Sequence, residues 1–279
     1  MRARDLAILG RSRIALAVGG ASLFGALLAG GGAPLHVGAA ASGAALLCAG
    51  CSALNQVQEK EQDAFMERTA DRPLPAGRMT SGAALTWAAA LGGAGLWLFA
   101  LAGGAVLLLL GLAVVVAYNG LYTPLKRLTP AGLLVGGLAG ALPPLTGWIA
   151  AGGDPGAPLI VAVTGVVYLW QVPHFWLLAE GRREEYRRAG FPLPSVVLPA
   201  RAQQPLMALW VMAYFLGLCW VVTLATEGRA GAGTVGALLV CGLVVAVVAS
   251  SGRHARALVL VNCSMPLAMG ALLLGAWSF

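Results

Sequence analysis

A chain of 279 residues with 59% hydrophobic and only 10% charged side chains, mean hydropathy +0.81 and 39 glycines is too apolar for a soluble domain, which usually carries roughly a quarter charged residues. The composition places it in the lipid bilayer as one polytopic membrane domain over 1–279, where glycine lets helices approach closely. The net charge of +7 follows loop topology rather than a nucleic-acid surface, and no nucleic-acid partner is expected.

The start, Met1 to Arg13, is basic and precedes an apolar run. That run is too long for a signal-peptide core and no clear cleavage site follows, so a retained first span is expected. Runs of the roughly 20 residues that cross a bilayer recur at about 14–33, 38–57, 82–101, 104–121, 131–151, 158–178, 205–225, 232–250 and 257–277, which predicts nine transmembrane helices. Only a Gly-Gly pair separates the third from the fourth. The second helix is expected to continue past the lipid to about Met66. All five cysteines fall in apolar runs. The C-x-x-C of Cys48 and Cys51 has no His or acid beside it, so packing residues are expected there rather than a metal or redox site.

Basic residues lie before span one (Arg2, Arg4, Arg11, Arg13) and in the loops after spans two, four, six and eight, with only Arg229 in an odd-numbered loop. Positive residues stay cytoplasmic, so the N-terminus is expected inside and the C-terminus outside a bacterial-type inner membrane. The acids share that side, all but Asp154 and Glu227. Glu59, Glu61, Asp63, Glu67 and Asp71 follow span two; Glu180, Glu184 and Glu185 follow span six. Both clusters run into Pro-Leu-Pro, in "RTADRPLP" (Arg68–Pro75) and "RRAGFPLP" (Arg187–Pro194). This echo suggests two related half-molecules facing one cavity.

Asn55, Glu59 and Asp63 recur every four residues, which keeps them on one helix face. Three oxygen donors with no Cys or His suit a hard cation such as Mg²⁺, commonly held by a few carboxylates together with substrate phosphates. Glu184 and Glu185 are placed to supply the opposite wall. A solvated, salt-bridged helix end would also give such a run; its recurrence on one membrane face, in a chain poor in acids elsewhere, favours the metal. "YTPLKR" (Tyr122–Arg127) ends span four with Lys126 and Arg127, and Arg68 and Arg72 flank the first acid cluster. Acids that hold metal beside cations that hold oxyanions make a site for a diphosphate. Arg68, Arg72 and Lys126 are the first candidates for its grip, then Arg127 and Arg13; Arg182, Arg183, Arg187 and Arg188 are left to topology. A diphosphate in a membrane points to an isoprenyl diphosphate, ionised with help from metal and cations, its tail lying along apolar helices.

These residues resemble the UbiA superfamily of intramembrane prenyltransferases and, within it, the heme O synthase branch, over nearly the whole chain. "NQVQEKEQDAFMERTADRPL" resembles N-x-x-x-D-x-x-x-D-x-x-M-x-R-T-x-x-R-P-L. "YTPLKRLTPAGLLVGGLAGALPPLTGW" resembles Y-T-x-x-L-K-R-x-T with G-G-x-A-G-A-x-P-P-x-x-G-W. "WQVPHFWLLA" resembles W-Q-x-P-H-F-W-x-L-A, and "EEYRRAGFPLPSVV" resembles D-D-Y-x-x-A-G-x-P-M-L-P-V. The resemblance implies an all-helical fold of nine spans around a central cavity. It implies Mg²⁺-dependent ionisation of farnesyl diphosphate and alkylation of a vinyl group of heme B, giving heme O. It places Asn55, Glu59 and Asp63 in the first metal motif and Glu184 and Glu185 in the second, with Lys126, Arg68 and Arg72 on diphosphate and Tyr122 in the same substrate-binding set. Glu59, Glu184 and Glu185 stand where the pattern has Asp, and "LGRSRIA" (Leu9–Ala15) replaces L-T-K-P-R-I, with Arg13 as the matching arginine.

His174 follows Pro173 near the end of span six, beside Trp170, Phe175 and Trp176. It is either an acceptor-site residue, with imidazole for heme iron and aromatics to stack on a porphyrin, or a histidine bonded to a carbonyl freed by Pro173 in an interfacial aromatic belt. The P-H-F-W match favours the acceptor site. Pro143-Pro144 in span five frees backbone carbonyls that must line a cavity or meet partners. A polyprenyl transferase for an aromatic acid of quinone synthesis shares the metal motif. A transporter would instead carry ionisable residues deep in several spans, whereas here they collect at helix ends. Nothing in the sequence sets an oligomeric state.

Overall fold

The computed structural model describes residues 2–229 and 232–276, which form helices and connecting turns with no strand among them. They divide into two compact units, one of Met1–Asp154 with Glu184–Phe191, the other of Pro155–Arg183 with Pro192–Phe279.

In the first unit, α1 (Ala3–Leu9) and α2 (Ser12–Leu28) meet at a bend of 56°. The turn residue Arg11 sits in the left-handed region, φ 46°, where a side chain costs roughly 1–3 kcal/mol of strain. Then come α3 (Pro34–Gln58), begun by a proline whose missing N–H costs nothing in a first turn, and the short α4 (Lys60–Ala64) and α5 (Glu67–Ala70). α6 (Ser81–Val115) runs into a π-helical segment, Val116–Tyr122, and α7 (Thr123–Leu125).

Together Ser81–Leu125 make 45 residues, roughly 68 Å if straight, about twice the hydrocarbon thickness. The run is not straight. Gly103 and Gly104 leave helical geometry, Gly104 at φ 60°, ψ −143°, which glycine alone adopts readily. A Cβ on Gly111 would lie 2.8 Å from both the Leu96 and Phe99 side chains, so the chain folds back on itself. The third and fourth spans are therefore the arms of a hairpin turned at the Gly-Gly pair. Seven helices among the described residues are long and apolar enough to cross a membrane, or eight with α1 and α2 taken as one bent span; dividing the hairpin gives the nine expected.

α8 (Gly132–Ala141) and α9 (Pro143–Ala150) make one span broken at Leu142, ahead of the proline pair. Within the first turn of α9, Thr146 Oγ1 donates back to the Pro143 carbonyl at 2.7 Å. α9 lies hard against α2: a Cβ on Gly147 would meet the Ser22 carbonyl at 1.6 Å, and one on Gly25 the Pro144 carbonyl at 1.8 Å. The contact closes with a Ser22–Thr146 hydroxyl pair at 3.0 Å. This is small-residue packing as lipid-embedded helices use it. Leu47, Phe99 and Leu107 centre an apolar core between α3 and α6. A second core takes Leu74 and Met79 from the charged loop against Leu9, Ala53, Ala84 and Ala88. That loop is thus held in place by buried side chains.

The second unit contains α10 (Pro158–Glu180), α12 (Pro194–Val197), α13 (Ala200–Ala225), α14 (Ala232–Ser250) and α15 (His254–Ala276). α11 (Arg183–Arg188) belongs to the first unit from Glu184 onward. α10 packs on α13 and α15, and α14 on the same two. The last residue of the ninth expected span, 277, lies outside the described residues.

Candidate active site

The helix of Asn55 does not run unbroken to Met66. It pauses at Glu59, φ −113°, ψ 16°, and resumes as α4. The four-residue rhythm nevertheless survives, because Glu59 N donates to Asn55 O at 2.9 Å and Asp63 N to Glu59 O at 2.8 Å. The three side chains are stacked a turn apart and all are buried.

Each faces a cation. Arg11 donates to Asn55 Oδ1 at 3.2 Å, Lys126 Nζ to Glu59 Oε2 at 2.7 Å, and Arg72 to Asp63 Oδ2 at 2.5 Å. Asn55 Nδ2 also donates to Thr123 Oγ1 at 3.1 Å. The π-helical segment sets this register. Asn119 in it donates to Cys51 O at 3.0 Å and to Gln58 Oε1 at 3.1 Å. A π turn shifts the phase of a helix and often marks a functional site; here Asn119, Thr123 and Lys126 come to face α3 at the levels of Cys51, Asn55 and Glu59. Burial and the neighbouring Arg11 push the Arg72 guanidinium below its usual value, against the opposing effect of Asp63.

Lys126 Nζ lies over the rings of Tyr122 at 4.9 Å and Phe191 at 5.6 Å, so Tyr122 flanks the central cation. Arg127 donates to the Gln58 carbonyl, beyond the three-residue ladder. Arg68 and Arg72 line a cavity of about 330 Å³ with Arg11, Asp71, Ile8 and Ile14. Arg13, the arginine matched from sequence, is exposed. Arg11 is the one that reaches the site, and its Nε is buried with no hydrogen-bond partner. The bend at Arg11 turns Arg13 away from the site; nothing in the residue pattern alone announces that bend.

Glu184 and Glu185 separate. Glu184 is exposed and bonded by Arg187 at 2.9 Å and Arg188 at 3.1 Å, which lowers its carboxyl to about 2. Glu185 accepts from the Arg68 backbone N–H at 3.5 Å, on the first acid cluster. So one of the pair meets that cluster and the other is satisfied on its own helix.

His174 and Trp170 stand in the second unit. Their rings stack at 4.6 Å. His174 Nδ1 pairs with Asn262 Oδ1 at 2.6 Å, and Trp170 Nε1 donates to Val261 O at 2.8 Å. The partner of His174 is thus a side chain of α15 rather than a carbonyl freed by Pro173. Sequence reasoning passed over Arg11, Asn119, Thr123 and Asn262. The two asparagines carried a usable signal, since a polar amide in an apolar span needs a reason.

Among the described residues no three His, Cys, Asp or Glu side chains converge on one point. The donor set still fits Mg²⁺. It is all oxygen, and Glu59 Oε1 is buried without a hydrogen-bond partner, an expensive state for a carboxylate oxygen that a hard cation would relieve. The Cys48–Cys51 pair is unlinked, with both thiols free.

The family model described as the UbiA prenyltransferase family matches residues 18–258. The chain is 45% identical over 217 residues to a protoheme IX farnesyltransferase of Nitratidesulfovibrio vulgaris, an alignment covering 78% of this chain and 76% of that protein. Its fold matches a UbiA homolog from Aeropyrum pernix with TM-score 0.74 and 21% identity, over 94% of this chain and 98% of that one. It also matches a UbiA homolog from Archaeoglobus fulgidus bound to GPP and Mg²⁺, with TM-score 0.67 and 13% identity, over 98% of both chains. The motifs, the helical architecture and these likenesses agree: the chain belongs to the UbiA prenyltransferase family.

Proposed function

We propose that this prenyltransferase moves the farnesyl group of farnesyl diphosphate onto a vinyl group of heme B, giving heme O, with Mg²⁺. The observation that carries the acceptor is the 45% identity, over most of the chain, to a protein named protoheme IX farnesyltransferase. The ladder of acids and cations supports a diphosphate leaving group. Bound Mg²⁺ would supply Lewis-acid compensation for the charge that develops on that group. Arg11, Arg68 and Arg72 line the cavity that would receive the diphosphate, and Lys126 stands on Glu59, one turn from Asp63 and its Arg72. As the allylic carbon–oxygen bond breaks, these cations stabilise the departing oxyanion. The apolar spans shelter the farnesyl cation from water until the vinyl carbon takes it. Water then adds to the neighbouring carbon and loses a proton, completing the hydroxyethylfarnesyl chain. The basic loops support a site on the cytoplasmic side of an inner membrane, with the N-terminus inside.

The test is competition between acceptors. Purified protein given farnesyl diphosphate, Mg²⁺ and both heme B and 4-hydroxybenzoate is expected to prenylate heme B. A product from the aromatic acid alone would replace this reading with quinone-type prenyl transfer.

A further inference from the structure

We propose that Asn262 is a positioning residue for the acceptor: it holds His174 as the tautomer whose Nε2 takes the iron of heme B. This rests on the heme reading above.

Trp170 and His174 are four residues apart, so they share one face of α10. They are received by consecutive residues of α15, Trp170 by the Val261 carbonyl and His174 by the Asn262 side chain. α15 carries Pro266 inside it, one turn beyond these groups. A proline has no N–H for the carbonyl four residues back and its ring crowds that carbonyl, which here is Asn262's own. On the same turn, Ser264 Oγ donates to the Val261 carbonyl at 2.8 Å, alongside Trp170. A polar network spent on one histidine inside an apolar bundle marks function by default.

The chemistry follows from the atom that Asn262 presents. An amide oxygen only accepts, so His174 Nδ1 must carry the proton. The lone pair of the neutral ring is then on Nε2. Ligating histidines are oriented in this way, through the nitrogen that does not touch the metal. Trp170 stacked on the ring and Phe175 edge-on at 5.1 Å restrict its rotation. Iron held at Nε2 fixes the macrocycle, and with it the place where the vinyl carbon is presented.

The test titrates heme B into full-length wild type, Asn262→Leu, Asn262→Asp and His174→Ala in detergent, followed by the Soret band and by EPR of the ferric state. Each protein is first checked for wild-type binding of inorganic diphosphate; if Asn262→Leu fails that check, Asn262→Ala takes its place. Wild type and Asn262→Asp are expected to share a histidine-ligated spectrum, because aspartate keeps the acceptor at Nδ1. Asn262→Leu is expected to lose roughly 10- to 100-fold in heme affinity and to move toward the His174→Ala spectrum. A leucine variant with wild-type spectrum and affinity overturns the positioning role. An aspartate variant that loses ligation overturns the tautomer. A wild type that binds no heme, or that matches His174→Ala, sinks the heme reading itself, and so is told apart from a failure confined to the Asn262 variants.

Discussion

Lys126 Nζ lies 2.7 Å from Glu59 Oε2, across 67 residues of sequence. It joins the end of the fourth span to the pause in the second, and the Glu59 carboxylate it meets is almost fully buried. Removing one partner of such a pair strands the other's charge, at a cost of about 3–5 kcal/mol. Lys126→Met should therefore lower the unfolding midpoint in detergent. It should also cut kcat by roughly 10²- to 10³-fold, the usual effect of losing a group that stabilises a developing oxyanion. A stable variant with wild-type kcat would remove Lys126 from the site.

Glu59 and Asp63 already hold cations from the chain itself, Lys126 and Arg72. A metal arriving alone has to compete with them. A diphosphate arriving with it gives Lys126 and Arg72 a new anion, so the two ligands should bind cooperatively. Mn²⁺ affinity measured by EPR is expected to rise about 5- to 150-fold when inorganic diphosphate is present, the range of ordinary coupling energies. Equal affinities with and without diphosphate would contradict this exchange of partners.

The two glutamates of α11 should behave differently. Glu184 is bound to Arg187 and Arg188 and its carboxyl is lowered to about 2. A lowered carboxyl stabilises the fold above its ordinary value of 4.5 and loses that contribution as pH falls through about 2. Glu184 thus stays charged through mild acid, and an acidic limb of the rate profile above that range belongs to other groups. Glu184→Gln is expected to keep turnover at neutral pH, because an exposed pair contributes little. Glu185→Gln, which touches the Arg68 backbone, is expected to lower it. Equal losses in steady-state assays would restore both to one metal motif.

The crossing of α2 and α9 leaves no room for a methyl group. Gly147→Ala would place its Cβ 1.6 Å from the Ser22 carbonyl, against backbone rather than a side chain that can swing aside. Overpacking of this kind costs about 1–3 kcal/mol, occasionally more. The variant should show a lower thermal midpoint in detergent, while Gly20→Ala, with open space around its Cβ position, should not.

The sequence made the helical architecture legible because hydropathy and loop charge act over whole spans, where single errors average out. Even the soft boundary at Gly103-Gly104 carried its own signal. The ladder of Asn55, Glu59 and Asp63 was legible through its spacing. What faces the ladder was not. Lys126 stands out by its charge, yet its pairing with Glu59 depends on a π-helical phase shift that periodicity does not encode. The choice between Arg11 and Arg13 is not encoded in the pattern either, because it is Arg11, at the bend between two helices, that meets Asn55, while Arg13 is exposed. Asn262 is 88 residues from His174, a tertiary pairing that local pattern does not reach.

On this reading the ladder of Asn55, Glu59 and Asp63 breaks a farnesyl–diphosphate bond to alkylate heme B. This is tested most directly by the mass of the product formed from heme B, farnesyl diphosphate and Mg²⁺, with Glu59→Gln and Asp63→Asn run beside the wild type. The wild type is predicted to add one farnesyl and one hydroxyl group to heme B, and both variants to leave it unchanged. Unmodified heme with the wild type, or full conversion by either variant, would contradict it.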